Sequence, residues 1–501
     1  MPSLDPTFLD LPAAALADAA LGRARELGVE HADFRLERVR TGVISLRDGQ
    51  LENLAEDARL GLAVRVVHDG AWGFASGIER TPQAAAELAE RAVATAKLSR
   101  VLSSDPVRLA PEPVHRDASW VSSYEINPFD VSQAERVARL AELSQRLLAA
   151  DGVDHVDVRL MQAQENKYYA DTAGTVTNQQ RVRLYPQFTA VQVDVARGRF
   201  SQQQTVAPPT GRGWEYLLGT GWDFDAEIAE LPELLAEHAK APTVAAGRYD
   251  LVIDPTNLWL TIHESIGHAT ELDRALGYEA AYAGTSFATL DQLGRLQYGS
   301  QVMNVTGDRT AEHGLSTIGY DDEGVATGRF DLIRDGVLVG YQLNRQMAEA
   351  HGFGRSNGCA HADSPGHIPL QRMANVSLLP APDGPSTDEL IAGVKRGIYI
   401  VGDNSWSIDM QRYNFQFTGP RFFKIENGRL AGQVRDVAYQ ATTTDFWGSM
   451  EAVGGPQTYL LCGAFNCGKG QPGQVAAVSH GSPSALFRGV NVLNTVSEGG
   501  R

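Results

Sequence analysis

Two histidines stand five residues apart in the run HESIGH at residues 263–268, and this spacing restricts the local backbone more than any other feature of the chain. On a regular α-helix, side chains five residues apart point roughly 140° away from each other. Both imidazoles therefore reach one metal ion only if the helix widens by one residue or ends before His268. Gly267 stands where such a distortion falls, and glycine tolerates it best. The run also carries Glu264, the kind of carboxylate that takes a proton from metal-activated water.

The residues before this run predict a helix. Asp254 suits the N-cap and Pro255 suits the first helical position. Leu258, Ile262 and Ile266 recur on one face, as in an amphipathic helix. The alternative is a chance co-occurrence of two histidines and a carboxylate on a surface helix.

A catalytic zinc site usually has three protein ligands, so HESIGH needs one more from elsewhere in the chain. We prefer Cys467, because it lies in a glycine-flanked turn over residues 466–471 where the backbone can approach a cleft. Lys469 in the same turn is expected to favour the thiolate. Many downstream carboxylates and the following side chains stay open as alternatives: His313, His351, His361, His367, His480, Cys359 and Cys462.

The other two cysteines have simpler interpretations. Cys462 follows an apolar stretch, which is typical of a small buried hydrophobic side chain. Cys359 precedes His361 and His367, a grouping that suggests a second metal site, but a polar loop is the simpler interpretation. A disulfide between Cys462 and Cys467 fits the spacing but not a reducing compartment.

The first half of the chain contains an internal repeat. Residues 28–36 (GVEHADFRL) are matched nearly residue for residue by residues 152–160 (GVDHVDVRL). Each copy follows an alanine- and leucine-rich helix, near residues 14–27 and 132–149, and then alternates as a strand does. We interpret this as a duplicated helix–strand unit; coincidence in a short window is the alternative.

Four Asx-Gly pairs are flanked by alternating apolar residues and predict β-hairpins: Asp48-Gly49, Asp69-Gly70, Asp335-Gly336 and Asn427-Gly428. Antiparallel sheet is therefore expected in both halves of the chain. Thr81-Pro82 predicts the start of a helix that runs to about residue 98.

The character of the sequence changes near residue 245. Residues 205–245 contain two consecutive prolines and an acidic helix, whereas strands and turns dominate after Pro242. We predict an α+β protein of two domains. Residues 1–245 form an N-terminal α/β domain with the duplicated unit, and residues 246–501 form a C-terminal antiparallel β-rich domain that carries the HESIGH helix.

Composition excludes several classes of protein. The 501 residues are 43% hydrophobic and 21% charged, which is ordinary for a globular chain. A net charge of −17 argues against nucleic acid as a partner, because phosphate binding needs a basic surface. No apolar run is long enough to span a bilayer, and the N-terminus lacks a secretion signal. Three cysteines make no disulfide framework, so we expect a reduced, cytoplasmic protein.

Two further segments have both a functional and an ordinary interpretation. Tyr320, Asp321, Asp322 and Glu323 form an acidic cluster that either lines a cleft or forms a turn capped by its own carboxylates. Residues 413–417 (YNFQF) alternate as a strand, which either pairs with a substrate backbone at a cleft edge or lies in an ordinary sheet.

Together these motifs resemble the TldD/PmbA family of metallopeptidases, in particular its TldD-type subunit. The resemblance covers almost the whole chain. The matching segments are HADFR at 31–35, LRDGQLE at 46–52, GLAVRV at 61–66, GAWGFAS at 70–76, HESIGH at 263–268, GYDDEG at 319–324 and CGKGQ at 467–471. Residues 269–287 depart from the family's pattern.

The resemblance implies a site and an activity. The family pattern of His-Glu, three residues and His implies Zn²⁺ held by His263, His268 and Cys467, with Glu264 as the catalytic base. It implies an α/β domain, a β-rich domain and a site in a narrow internal cleft. It also implies a peptidase for unfolded or short peptides, with leader-peptide processing and antitoxin turnover among its roles. The implied partner is a related metal-free PmbA/TldE-type subunit, and a homodimer is the alternative.

Two other functional classes remain open. One is a metal-dependent amidohydrolase that acts on a non-peptide substrate at the same site. The other is a non-catalytic peptide-binding or assembly subunit with a structural metal. Glu264 argues against a purely structural site, because such a site needs no carboxylate at that position.

Overall fold

The structure, a computed structural model, describes residues 3–103, 105–195 and 198–496. It contains more strand than helix, and most strands belong to two large sheets in which antiparallel pairing predominates. The predicted α+β class is confirmed.

The N-terminal part of the chain builds a seven-stranded sheet with helices. Its strands are β1 His31–Arg47, β2 Gln50–His68, β3 Ala71–Gly77, β4 Ala118–Val121, β5 His155–Asp171, β6 Val176–Asp194 and β7 Arg199–Gln204. Its helices are α1 Pro6–Leu9, α2 Ala13–Glu26, α3 Pro82–Arg100, α4 Gln133–Leu148 and α5 Phe224–Lys240. The strand order is β3-β2-β1-β5-β6-β4, with β7 paired to β6. Only the pairing of β4 with β6 is parallel in this sheet as described.

The repeated unit is confirmed as two helix–strand pairs, α2 with β1 and α4 with β5. The two strands are antiparallel neighbours along their length. Each strand has 17 residues and spans about 56 Å. This length is greater than the length that a single pair of helices covers. The sheet therefore has two apolar cores. Phe34 and Leu36 pack with α2 and α3, whereas Ile44 and Leu46 pack with α4 and α5.

The C-terminal part builds a nine-stranded sheet and three smaller ones. Its strands are β8 Gly247–Ile253, β9 Val305–Asp308, β10 Arg329–Arg334, β11 Val337–Leu338, β12 Ala360–His361, β13 Leu370–Gln371, β14 Asn375–Leu378, β15 Arg396–Val401, β16 Trp406–Ile408, β17 Asn414–Phe417, β18 Arg421–Glu426, β19 Arg429–Val434, β20 Val437–Thr442, β21 Met450–Val453, β22 Leu460–Lys469, β23 Gln474–Ser482 and β24 Ala485–Asn494. Its helices are α6 Pro255–Ile262, α7 Leu272–Ala275, α8 Arg345–Ala350, α9 Thr387–Ala392 and α10 Thr443–Gly448. The large sheet runs β16-β17-β20-β24-β8-β15-β18-β19, with β21 paired to β24. The smaller sheets are β11-β10-β9-β14, β12-β13 and β22-β23.

The interior strand β8 positions the HESIGH segment. β8 lies between β24 and β15 and leads directly into α6. Leu251 and Ile253 of the strand share an apolar core with Leu258 and Ile262 of the helix, and all four side chains are fully buried. The start of HESIGH is therefore held against the centre of the sheet.

The local predictions hold at the turns. Each of the four Asx-Gly pairs predicted as hairpins joins two antiparallel strands, and both of its residues have positive φ, as at Asp48 (51°) and Gly49 (75°). Positive φ at both central positions is the requirement of a type I′ hairpin. Thr81 caps α3 by accepting the backbone N–H of Ala84.

The acidic cluster lies in a turn that touches the first sheet. Asp321 accepts the backbone N–H of Glu323, so the turn interpretation is confirmed. Asp322 pairs with Lys167 at 2.9 Å, and Glu323 pairs with Arg65 at 3.1 Å. These contacts join the C-terminal part to the N-terminal sheet.

The other segment with two interpretations, residues 413–417, contains β17, which lies between β16 and β20. The ordinary-strand interpretation is therefore confirmed. The boundary between residues 245 and 246 stays a prediction. Within the described residues, no helix combines the length and the apolar composition that a membrane span requires.

The close approach of β3 to α3 gives a stability prediction. A Cβ on Gly73 would lie 1.9 Å from the carbonyl oxygen of Ala92, whereas one on Gly77 would lie 3.5 Å from Leu88. Gly73→Ala should force the strand and the helix apart and lower the free energy of unfolding by about 1–3 kcal/mol. Gly77→Ala is the matched control and should change it little. Thermal unfolding followed by circular dichroism compares the two; equal midpoints would contradict the close approach.

Candidate metal centre

The backbone at HESIGH forms a widened helical turn. α6 begins where predicted, because Asp254 accepts a backbone N–H of the first turn and Pro255 occupies the first position. A π-helical turn over His263–Gly267 follows, in which the N–H of His268 bonds to the carbonyl of His263. Of the two predicted options, a helix widened by one residue and a helix that ends before His268, the structure has the first.

The widened turn brings both imidazoles to the same side. The ring centroids of His263 and His268 lie 4.7 Å apart, at an interplanar angle of 69°. These two side chains and Glu264 are each about 5% exposed. The alternative of a surface helix is therefore wrong.

Other segments satisfy the backbone of the π turn. The Tyr298 hydroxyl donates to the carbonyl of Ser265, and the Gln342 amide donates to the carbonyl of Gly267 at 2.7 Å. Gly267 itself has an ordinary helical φ of −53°, so tolerance of distortion is not the reason for glycine here. A Cβ at this position would lie 2.6 Å from the sulfur of Met373. Close packing against Met373, which the sequence does not reveal, favours the glycine.

Cys467 reaches the two histidines from β22, at an irregularity in its pairing with β23. Its Sγ lies 3.5 Å from Nε2 of His268. One ligand atom each from His263, His268 and Cys467 lie within 4.8 Å of one another. Across the described ranges, no other group of three His, Cys, Asp or Glu side chains could hold a metal.

Apart from His480, which contacts His263, the remaining histidine and cysteine candidates lie outside this group of ligand atoms. Cys462 is buried in the apolar core, and all three cysteines are free. His361 contacts Asp322 at 3.5 Å. Cys359, His361 and His367 form no second cluster in the part of the chain that the structure describes.

Hydrogen bonds determine which nitrogen of each imidazole faces the centre. His480 donates Nδ1–H to the carbonyl oxygen of Val376 at 2.9 Å, so its Nε2 accepts the Nδ1–H of His263 at 2.8 Å. Nδ1 of His268 bonds to the Glu271 carboxylate at 2.9 Å. Both Nε2 lone pairs are thereby left for the centre. Such partners orient metal-binding histidines and raise their basicity.

The directions of the pKa shifts also favour metal binding. Burial lowers the pKa of His263 to about 4, and burial likewise lowers the pKa of His268. Burial alone would raise the pKa of the Cys467 thiol, but the adjoining His268 ring and the Arg372 guanidinium hold this pKa below its usual value. Neutral imidazoles and a thiolate are the forms that bind a metal.

Lys469 does not support the Cys467 thiolate. Its buried ammonium contacts Glu271 at 3.2 Å, Asp273 at 2.7 Å and Glu279 at 3.4 Å. The prediction for Lys469 is wrong, because these carboxylates already hold its charge.

Arg372 takes that role instead, and its guanidinium also donates to the Cys467 carbonyl at 2.7 Å. Lys469 has a different function in the fold. It ties the strand that carries Cys467 to Glu271, the carboxylate that orients His268.

Glu264 lies beside the centre and is ion-paired with Arg412, with Nη1 and Oε2 2.5 Å apart. Sequence reasoning missed this partner and left His480 only as one candidate ligand among many. Arg412 lies 148 positions from Glu264, and His480 lies 217 positions from His263, so neither leaves a local signal.

The donor set fits zinc. Zinc binds imidazole nitrogen at about 2.0–2.1 Å and thiolate at about 2.3 Å, which places neighbouring ligand atoms about 3.3–3.7 Å apart in a tetrahedron. A spread of 4.8 Å requires only small side-chain movements to match this. Three protein ligands leave a fourth position open, as in catalytic zinc sites. The roles of His263, His268 and Cys467 as ligands and of Glu264 as base stay predictions.

Two family models match the chain. They are described as PmbA/TldA metallopeptidase domain 1, at residues 32–96, and PmbA/TldA metallopeptidase C-terminal domain, at residues 246–494. Together they cover more than half of the sequence. The chain belongs to the PmbA/TldD metallopeptidase family. The resemblance drawn from the motifs is thus confirmed.

Curated relatives of this PmbA/TldD chain are named metalloproteases. A metalloprotease of Methanothermobacter thermautotrophicus is 29% identical over 93% of this chain and 96% of its own. A zinc metalloprotease TldD homolog of Saccharolobus solfataricus is 22% identical over 94% and 98% of the two chains. A metalloprotease TldD homolog of Haemophilus influenzae is 25% identical over 93% of each chain.

Solved structures share the fold. A crystal structure titled as a putative modulator of a DNA gyrase from Thermotoga maritima has a TM-score of 0.75 at 17% identity and covers 96% of this chain and 100% of its own. The crystal structure of TldE from Thermococcus kodakarensis has a TM-score of 0.72 at 15% identity and covers 95% and 99%.

Removing the sulfur tests the third ligand. Cys467→Ala should lower zinc content from near one per chain to a small fraction, because two imidazoles alone hold zinc weakly. Cys462→Ala, at a buried cysteine outside the centre, is the control and should keep its zinc. Metal analysis of the purified proteins compares them. Unchanged zinc in Cys467→Ala would remove this residue from the ligand set.

Lys469→Met tests the tie between β22 and Glu271. Zinc affinity should fall about 10–100-fold, because the carboxylate that orients His268 loses its partner. Lys469→Arg should lose less. Competition with a chelator measures the affinity, and circular dichroism verifies the fold. Wild-type affinity in a folded Lys469→Met protein would show that the tie is dispensable.

Proposed function

We propose that this chain is the metal-bearing, TldD-type peptidase of its family, with zinc held by His263, His268 and Cys467 and with Glu264 as the base. The observation that carries the proposal is the convergence of three ligand atoms within 4.8 Å beside a buried carboxylate. A structural site would need no carboxylate there.

The reaction in this proposal is hydrolysis of a peptide bond. When bound, zinc supplies Lewis-acid chemistry, which acidifies water and polarises a carbonyl oxygen. A thiolate ligand adds negative charge and so weakens that Lewis acidity relative to three imidazoles. Glu264 accepts a proton from the attacking water and donates it to the leaving amine.

The proposed substrates are unfolded or short peptides. His263, Glu264 and His268 are almost entirely shielded from solvent. The rigid surface of a folded protein does not reach side chains buried to this degree, which favours a flexible, extended chain as the substrate. Leader-peptide processing and antitoxin turnover are the physiological roles that we propose from the family.

The proposed partner is a related metal-free subunit of the PmbA/TldE type, and a second copy of this chain is the alternative. Likeness to a solved TldE supports a shared fold for such a pair. We propose the cytoplasm as the compartment, because three free cysteines fit a reducing environment. Mass measurement of the purified chain with and without the relative distinguishes the assemblies.

Glu264→Gln tests the base. The variant should keep its zinc and lose cleavage of an unfolded casein by more than about 100-fold, because an amide cannot accept the proton. Glu349→Gln, on the exposed side of α8, is the control and should cleave as the wild type does. Mass spectrometry identifies the products. Retained turnover in Glu264→Gln would refute the base, and a zinc-loaded wild type that cuts no peptide would favour the amidohydrolase or assembly alternatives.

A further inference from the structure

Four cationic side chains lie around the centre: Arg274, Arg372, Arg412 and Lys469. Arg274, Arg372 and Lys469 are about 1% exposed, but the side chain of Arg412 is 13% exposed. Arg412 is thus the cation of this set that a substrate can reach.

The guanidinium of Arg412 has a hydrogen-bond donor without a partner. Nη1 donates to Glu264, and Nη2 donates to the carbonyl of Ala283 at 3.3 Å. Nε is buried and has no hydrogen-bond partner. A buried donor without a partner costs about 1–3 kcal/mol, so an added oxygen acceptor within reach would be favourable.

A tight turn holds Arg412 in place. Asp409 accepts the backbone N–H groups of Gln411 and Tyr413, at 3.1 and 2.8 Å. Arg412 has a positive φ of 62°, and its carbonyl accepts the Thr443 hydroxyl at 2.8 Å. The backbone is therefore preorganised, and only the side chain needs to move.

An open groove begins at the same turn. Gln411 and Tyr413, the neighbours of Arg412, line a groove of about 810 Å³. Phe287 and Leu296 contribute apolar surface to it. The groove therefore reaches the two residues that flank Arg412 along the chain.

We propose that Arg412 is a catalytic residue that stabilises the oxyanion formed when water attacks the peptide carbonyl. The inference rests on the proposed function and deepens it. Before attack, the Glu264 carboxylate balances the charge of Arg412. As Glu264 takes the proton of water, its negative charge disappears, and a negative charge appears on the carbonyl oxygen. The guanidinium can exchange one partner for the other without leaving the site.

The chemical step balances. The oxygen of water bonds to the carbonyl carbon, the carbon–oxygen π pair moves to the carbonyl oxygen, and the proton moves to Glu264. The π bond then re-forms, the carbon–nitrogen bond breaks, and Glu264 returns the proton to the nitrogen. Arg412 stays protonated throughout and supplies only hydrogen bonds and charge, which act strongly in a site shielded from water.

Arg412→Ala and Arg412→Lys test the inference, with quenched fluorescent casein as the unfolded substrate. In Arg412→Ala, kcat should fall about 100–1,000-fold, while zinc content and KM stay within about twofold of the wild type. Arg412→Lys should retain more activity, and millimolar guanidinium should partly restore Arg412→Ala. Arg429→Ala, at an exposed position on β19, is the control.

Three results would overturn the role of Arg412. They are unchanged kcat in Arg412→Ala, a loss confined to KM or to zinc content, and a loss of kcat that guanidinium does not restore at all. A failure of the proposed function gives a different result from a failure of the role of Arg412. If the proposed function is wrong, the zinc-loaded wild type itself cleaves no casein.

Discussion

The buried contact between Lys469 and Glu271 joins the two segments on which the centre depends. One segment follows the π turn and orients His268, and the other is the strand that delivers Cys467. Each charge loses hydration on burial, and only a close, well-bonded arrangement offsets that cost. The cluster therefore accepts few geometries, which suits a site that must hold ligand atoms a few ångströms apart.

A second set of buried charges joins the two large parts of the structure. Lys167 and Arg65 project from the N-terminal sheet and pair with Asp322 and Glu323 of the acidic turn. An apolar interface would tolerate sliding, because the hydrophobic effect has no preferred direction. Ion pairs do have preferred positions, so this contact fixes how the N-terminal sheet meets the C-terminal part. Burial also raises the pKa of Glu37, next to Lys167, to about 7.

Much of the local structure could be predicted because its causes are local. The hairpin at Asp48-Gly49 follows from two residues that accept positive φ, and the start of α6 follows from Asp254 and Pro255. The π turn was one of two options that the sequence left open, since the spacing of two ligands excludes a regular helix. Prediction failed where the partner of a side chain is distant in sequence. Lys469 was expected to favour the thiolate of Cys467, its neighbour in sequence. It instead forms ion pairs with carboxylates some 190 or more positions away.

The sequence by itself determined the hairpin turns, the starts of several helices, the duplicated unit and the set of side chains able to bind a metal. Those follow from backbone preferences and from the chemistry of single residues, which act over a few positions. Only the tertiary structure decided that Cys467 meets the two histidines, that His480 and Glu271 orient them, that Arg412 faces Glu264, and that Gly267 packs closely against Met373. The physical reason is that packing and buried charge depend on distances in space, and the order of residues along the chain does not contain those distances until the sheets have assembled.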